Sequence, residues 1–137
     1  MPEQSLSELQ KLGFKHVGDF TKMGEGIGFS LSSDKGNTGS YAFVVDKRIM
    51  YIGVTKYTLY ARMNGYKNPG PTQETNKRIN PKISKAGRVQ IYFLASSEIT
   101  HFTTIIRRGD VEKQVPTDVN TFERFLISKF RPEWNRG

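Results

Sequence analysis

One stretch constrains the fold of this chain more than any other: the run YAFVV, the charged break Asp46-Lys47-Arg48, and the run IMYIG. Segments this rich in β-branched and aromatic residues favour extended backbone, and a short polar break between two of them predicts an antiparallel hairpin. Side chains alternate across a strand, so the length of the turn decides which of them share a face. Tyr41 and Tyr51 fall on one face if the turn holds an odd number of residues, with Val45 opposite Ile49. A two-residue turn would point them apart.

The remaining segments arrange themselves around this hairpin. Ser5 or Ser7 caps a short helix with Leu6, Leu9 and Leu12 on one side, ended by Gly13 and expected to pack as an appendage. Residues 14–40, rich in Gly and Ser, predict one or two short strands with loops. Gly24-Glu25-Gly26-Ile27-Gly28 lacks the Lys-Ser/Thr of a phosphate loop and reads as a turn. After Gly53, Leu59, Met63 and Tyr66 recur at helical spacing behind Thr55 as cap, which makes Arg62 and Tyr66 neighbours on that helix. A second helical segment over 73–87 sets Arg78, Lys82 and Lys85 beside Ile79 and Ile83, with Pro81 expected to kink or break it. RVQIYFLA predicts a strand, residues 98–115 a further hairpin turning near Arg108-Gly109-Asp110, and Asp118 to Phe130 a helix stopped by Pro132. This order predicts a single α+β domain over residues 1–137, with a central antiparallel or mixed sheet flanked by helices. Residues 1–38 would form an N-terminal extension and 39–135 the core.

Composition narrows the chemistry. The chain has no cysteine and only two distant histidines, His16 and His101. That removes disulfides, Cys-ligated zinc, iron–sulfur clusters, cysteine nucleophiles and most histidine metal sites. No apolar run reaches the roughly 18 residues of a membrane span, and MPEQSLSELQKLGF lacks the features of a signal peptide, so the expected location is cytoplasmic. The formal charge of +8 is concentrated: residues 41–90 hold ten basic side chains and two acidic ones, Asp46 and Glu74, whereas the other 87 residues hold eleven of each. A block of one sign attracts polyanions, and each phosphate it neutralises releases counterions. Nucleic acid is the expected partner.

On the last predicted helix, Phe122, Leu126 and Phe130 form an apolar stripe with Glu123 beside it. A carboxylate on the packed side needs a cation, a metal ion or a proton, whereas one at the solvated edge of the first turn needs only the helix dipole. Gly39-Ser40-Tyr41, nine further residues, Tyr51-Ile52-Gly53, then Arg62, Glu123 and Asn135 in PEWN form an ordered set. Over residues 39–135 this set resembles the GIY-YIG nuclease family. The tail FERFLISKFRPEWN and the helix containing Lys77 are most similar to its small phage endonuclease II branch and its type II restriction enzymes.

The resemblance implies a role for each matching residue. Tyr41 would activate or orient the attacking water, and Tyr51 would position that water and the scissile phosphate. Arg62 would stabilise charge on the phosphorane, Glu123 would hold one divalent metal, Asn135 would support the site and Lys77 would contact the phosphate. Where many members carry a histidine four residues after the arginine, this chain has Tyr66, leaving Tyr66 or Lys56 to act near the nucleophile. About one free tyrosine in a thousand is ionised at neutral pH. Positive charge from Arg62, Lys56 or the metal would favour phenolate, which predicts a rate rising with pH above neutrality. A single carboxylate with water ligands suits Mg²⁺ or Mn²⁺, one ion per site.

The implied function is a metal-dependent endonuclease acting on double-stranded DNA, either site-specific as a restriction enzyme is or lightly specific as a phage enzyme is. Lys56, Lys67, Arg78, Lys82, Lys85 and Arg88 would track the DNA backbone. The alternative is a non-catalytic basic DNA-binding module on the same fold. Cutting both strands with one site per chain implies a homo-oligomer, dimer or larger.

Overall fold

The computed structural model describes residues 2–135, with side chains described from Ser5 onward. A helix, α1 (Pro2–Lys11), leads into β1 (Lys15–Met23), β2 (Gly26–Leu31), β3 (Gly39–Val45) and β4 (Arg48–Thr55). Two helices follow, α2 (Leu59–Lys67) and α3 (Glu74–Ala86), then β5 (Arg88–Ala95) and the single turn α4 (Ser96–Ile99). A ribbon of β6 (Thr103–Arg108) and β7 (Val111–Pro116) precedes α5 (Val119–Phe130) and a final 3₁₀ turn (Glu133–Asn135).

The main sheet has the order β2-β1-β5-β3-β4, and every pairing in it is antiparallel. This is the predicted α+β domain, with the apolar strand RVQIYFLA at its centre. Residues 15–31, expected in an extension, supply two of its five strands. One face, built from Tyr41, Phe43, Tyr51 and Ile91, packs against Leu59, Met63 and Tyr66 of α2 and Ile79 and Ile83 of α3. The other face, with Ala42, Val44 and Ile52, packs against Leu9 of α1 and Phe122 and Leu126 of α5. Leu9 is fully buried, so α1 is part of the second core rather than an appendage. Among the described residues no helix is long and apolar enough to cross a membrane.

The β3–β4 turn departs from expectation in an instructive way. Val45 pairs with Arg48, so the turn holds two residues, Asp46 and Lys47, both with positive φ (49° and 66°) as a tight hairpin turn requires. A regular ladder from that turn would separate the two tyrosines. The register slips by one residue after Val44↔Ile49, so that Phe43 faces Tyr51, and Met50 is the extra residue of a β-bulge. The bulge supplies the odd residue that the turn lacks, and Tyr41 and Tyr51 share a face.

Three helix boundaries also differ from expectation. Ser5 and Ser7 lie inside α1, which starts at Pro2. Thr58, not Thr55, caps α2, its hydroxyl accepting from the Ala61 N–H at 3.1 Å, while Thr55 Oγ1 accepts from the Tyr57 N–H in a local turn. Pro81 neither breaks nor ends α3, which runs on for five residues past it. Ile79 and Ile83 are fully buried on either side of it, and their packing holds both turns in place. Asp118, expected as the start of the last helix, is the cap of α5, accepting from the Thr121 N–H at 2.8 Å.

Candidate active site

The tyrosines converge because three elements deliver them to one face. Tyr41 comes from β3, Tyr51 from β4 after the bulge, and Tyr66 from the last turn of α2; their rings lie 6.1–6.4 Å apart. Tyr41 and Tyr66 are almost completely buried and Tyr51 nearly so. The Tyr41 ring lies against Gly53, where an added Cβ would come within 2.6 Å of it. Glycine at this position is therefore a packing requirement.

Arg62, one turn before Tyr66 on α2, enters this cluster. Its Nε donates to Tyr41 Oη at 3.1 Å, one terminal nitrogen donates to Tyr66 Oη at 2.9 Å, and the other donates to Asn76 Oδ1 at 2.6 Å. The guanidinium also lies 4.3 Å from the centre of the Tyr66 ring. The two phenol oxygens are 2.6 Å apart and share a hydrogen bond. Each nitrogen of the arginine fork thus has one fixed partner, a geometry that a lysine cannot reproduce.

Asn76 escaped the sequence analysis. It is 2% exposed, and its amide nitrogen donates to Gln73 Oε1 at 3.0 Å, an oxygen that also accepts from the Gly70 N–H at 2.8 Å. Its signal was present: Asn76 precedes Ile79 and Ile83 by three and seven residues, so it is a polar side chain on the apolar stripe of α3. A neighbouring amide, Asn80 Nδ2, donates to the Tyr66 carbonyl at 2.7 Å and ties α3 to the end of α2.

Electrostatics correct one expectation. Burial pushes the Tyr41 phenol well above its ordinary value of 10, outweighing the opposing pull of Arg62, and burial likewise raises Tyr66. Both stay neutral through the physiological range, so the positive charge of Arg62 does not create a phenolate here. A rate rise above neutrality therefore does not come from Arg62 acting on Tyr41 or Tyr66.

A cleft of about 370 Å³ opens beside the cluster, lined by Arg62, Asn76, Gln73, Gly65, Thr55 and Lys56 among others. Two cations, Arg62 and Lys56, therefore face one space. Lys82 and Lys85 border a different groove with Met50 and Trp134. Lys77 Nζ donates to the Pro71 carbonyl at 3.3 Å, and Arg78 donates to the Trp134 carbonyl at 2.6 Å, anchoring the C-terminal segment. Lys67 stands in the last turn of α2, and Arg88, largely exposed, lies 3.6 Å from Asp19.

The carboxylate and the asparagine sit elsewhere. Glu123 belongs to α5, which packs on the opposite face of the sheet, and no hydrogen bond or ion pair joins it to the cluster among the described residues. Its carboxylate is half-buried and lacks such a partner, and burial raises its pKa above the ordinary 4.5 against the pull of Arg124. A lone carboxylate of this kind can supply one oxygen ligand to a divalent ion whose other ligands are water; among the described residues no group of three or more His, Asp or Glu side chains is placed to hold an ion. Asn135 forms two bonds with one residue of β4: its Oδ1 accepts from the Ile52 N–H at 2.9 Å and its Nδ2 donates to the Ile52 carbonyl at 2.8 Å. It supports the strand that carries Tyr51.

Two solved structures have the same fold. A mutant of EndoII from bacteriophage T4 matches with a TM-score of 0.64 at 19% identity, over 96% of this chain and 98% of that one. The restriction endonuclease HPY188I in complex with product DNA matches with a TM-score of 0.53 at 15% identity, over 90% of this chain and 75% of that one. Both are GIY-YIG nucleases, and the chain has the GIY-YIG fold. No family model and no curated protein sequence matches it.

Proposed function

We propose that this protein is a divalent-metal-dependent endonuclease that hydrolyses phosphodiester bonds in double-stranded DNA. The observation that carries the proposal is Arg62: a guanidinium held by one bond from each nitrogen to Tyr41, Tyr66 and Asn76, with two N–H groups left for a ligand, at the wall of a cleft it shares with Lys56. An arginine fixed in this way is a preorganised site for phosphoryl oxygens, and its charge counts most as the phosphorane gathers negative charge.

In this reading Arg62 binds the scissile phosphate and Lys56 the adjoining backbone. Tyr41 and Tyr66 keep their protons and hold the guanidinium in place, while Tyr51, beside them on β4, orients the water. Glu123 would hold one Mg²⁺ or Mn²⁺: α5 packs against β4, the edge strand that carries Tyr51, and an ion held there would supply Lewis acidity that offsets charge on the phosphoryl oxygens and eases departure of the alkoxide. Lys67, Lys77, Lys82, Lys85 and Arg88 extend the positive surface along the DNA, whereas Arg78 serves the protein's own C-terminal segment. Cleavage of both strands would use two or more copies of the chain.

The test is incubation of supercoiled plasmid with the wild-type protein and with Glu123→Gln, each with and without Mg²⁺ or Mn²⁺. Cleavage that needs the metal and is lost in the variant is expected, with duplex binding in EDTA retained by both proteins. Discrete bands would indicate a restriction-type specificity and a smear a lightly specific one. Salt-sensitive binding without cleavage under any metal would overturn the enzymatic reading in favour of a DNA-binding module.

A further inference from the structure

The ribbon β6–β7 forms its own two-stranded sheet, apart from the main one. Its register pairs Ile106 with Lys113, Arg107 with Glu112 and Arg108 with Val111. Alternation then sorts the side chains into two unlike faces. On one face the charge is internally cancelled, since Arg107 Nε donates to Glu112 Oε2 at 2.8 Å. The other face carries Arg108 and Lys113 with no carboxylate across from them, and neither cation makes an ion pair among the described residues. Between these cations Ile106 and Val111 are 52% and 67% exposed.

Resting on the endonuclease reading, we propose that this cationic face of the ribbon docks on duplex DNA as a second contact surface, outside the Arg62 cleft. Charge decides the occupant. A second copy of the chain seated here across a two-fold axis would bring its own Arg108 and Lys113 against these, whereas a phosphate backbone complements them. Shape agrees with charge: the major groove is about 12 Å wide and admits a two-stranded ribbon. Six residues per strand extend about 20 Å, a length comparable to some six base pairs. Ile106 and Val111 offer the apolar surface that contacts thymine methyl groups.

The ribbon is tied directly to the helix that carries Glu123. The ribbon's root is pinned by the 2.8 Å hydrogen bond between the Thr104 and Thr117 hydroxyls, and Thr117 leads directly into the Asp118 cap of α5. Glu123 follows five residues later, about 7.5 Å along the helix.

The experiment measures binding of a 20-base-pair duplex in EDTA over a range of salt concentrations. The double variant Arg108→Ala/Lys113→Ala is compared with Lys11→Ala/Lys22→Ala, which removes the same charge from exposed positions elsewhere. Each phosphate contact contributes about 0.9 to the slope of log K against log salt, so the ribbon variant should lose nearly two units of slope and the control none. Equal slopes in the two variants would overturn the proposal. Sedimentation of the same proteins tests the rival occupant: dissociation of an oligomer by the ribbon variant, with the DNA slope intact, would assign this face to a second copy. Wild-type plasmid cleavage separates the two hypotheses. Cleavage with an unchanged ribbon slope sinks the docking surface alone, binding with a reduced slope but no cleavage sinks the nuclease alone, and no salt-sensitive binding sinks both.

Discussion

At the scale of single residues, the cluster around Arg62 is a set of mutual constraints. Replacing Arg62 by lysine keeps the charge but removes the planar fork, leaving two buried phenols and one buried amide short of a donor. The expected result for Arg62→Lys is a fall in cleavage rate of about 10² to 10³, the range found when a preorganised donor to a developing oxyanion is lost. Single-turnover kinetics at saturating DNA would read it, and a rate within threefold of wild type would remove Arg62 from the proposed mechanism. Asn76 should behave differently: Asn76→Ala strips Arg62 of one acceptor while both cleft cations, Arg62 and Lys56, are retained. A loss of about 1–3 kcal/mol in urea unfolding is expected for a buried partner left unpaired. The sequence disclosed Tyr41, Tyr51, Tyr66 and Arg62 because their order and spacing are informative. It marked Asn76 only as a polar residue on the apolar stripe of α3, because the partner that such a residue meets is not visible in one dimension.

At the scale of elements, the hairpin and the tail decide whether the residues meet. Strand and helix periodicity predicted every major element, but two tight features were beyond it. A turn length cannot be read from DKR, since a two-residue turn plus a bulge and a three-residue turn give the same facing of Tyr41 and Tyr51. The cap of α2 was misplaced because Thr55 and Thr58 are equally good acceptors in sequence, and only the loop carbonyls of Asn37 and Lys35, which accept from the Leu59 and Tyr60 N–H groups, fix where the helix begins. The position of Glu123 relative to the cluster was equally hidden, being a matter of which sheet face α5 covers. The tail invites its own test. Asn135→Ala removes both bonds to Ile52 and should cost about 1–2 kcal/mol of stability. Faster hydrogen exchange at the Ile52 amide would report the same loss locally, and unchanged exchange there would show that the tail does not secure the strand.

For the whole molecule, burial of two phenols beside one guanidinium gives stability a particular dependence on pH. Folded Tyr41 and Tyr66 hold their protons more tightly than the unfolded chain does, so their contribution is intact below pH 10 and is lost as pH rises beyond it. Melting temperature should be level in this respect from pH 7 to 9 and fall from 10 upward. Tyr41→Phe should flatten that alkaline fall even while lowering stability at pH 7, and an alkaline slope identical to wild type would place the titration elsewhere. The bond from Asn135 to Ile52 has a further consequence, colloidal rather than catalytic. β4 ends the sheet, and an open strand edge is a template on which another molecule can extend the ladder. By filling the N–H and the carbonyl of Ile52 with a side-chain amide, the tail acts as a stopper against sheet-to-sheet growth between molecules. Its release would be felt first as turbidity in concentrated solution.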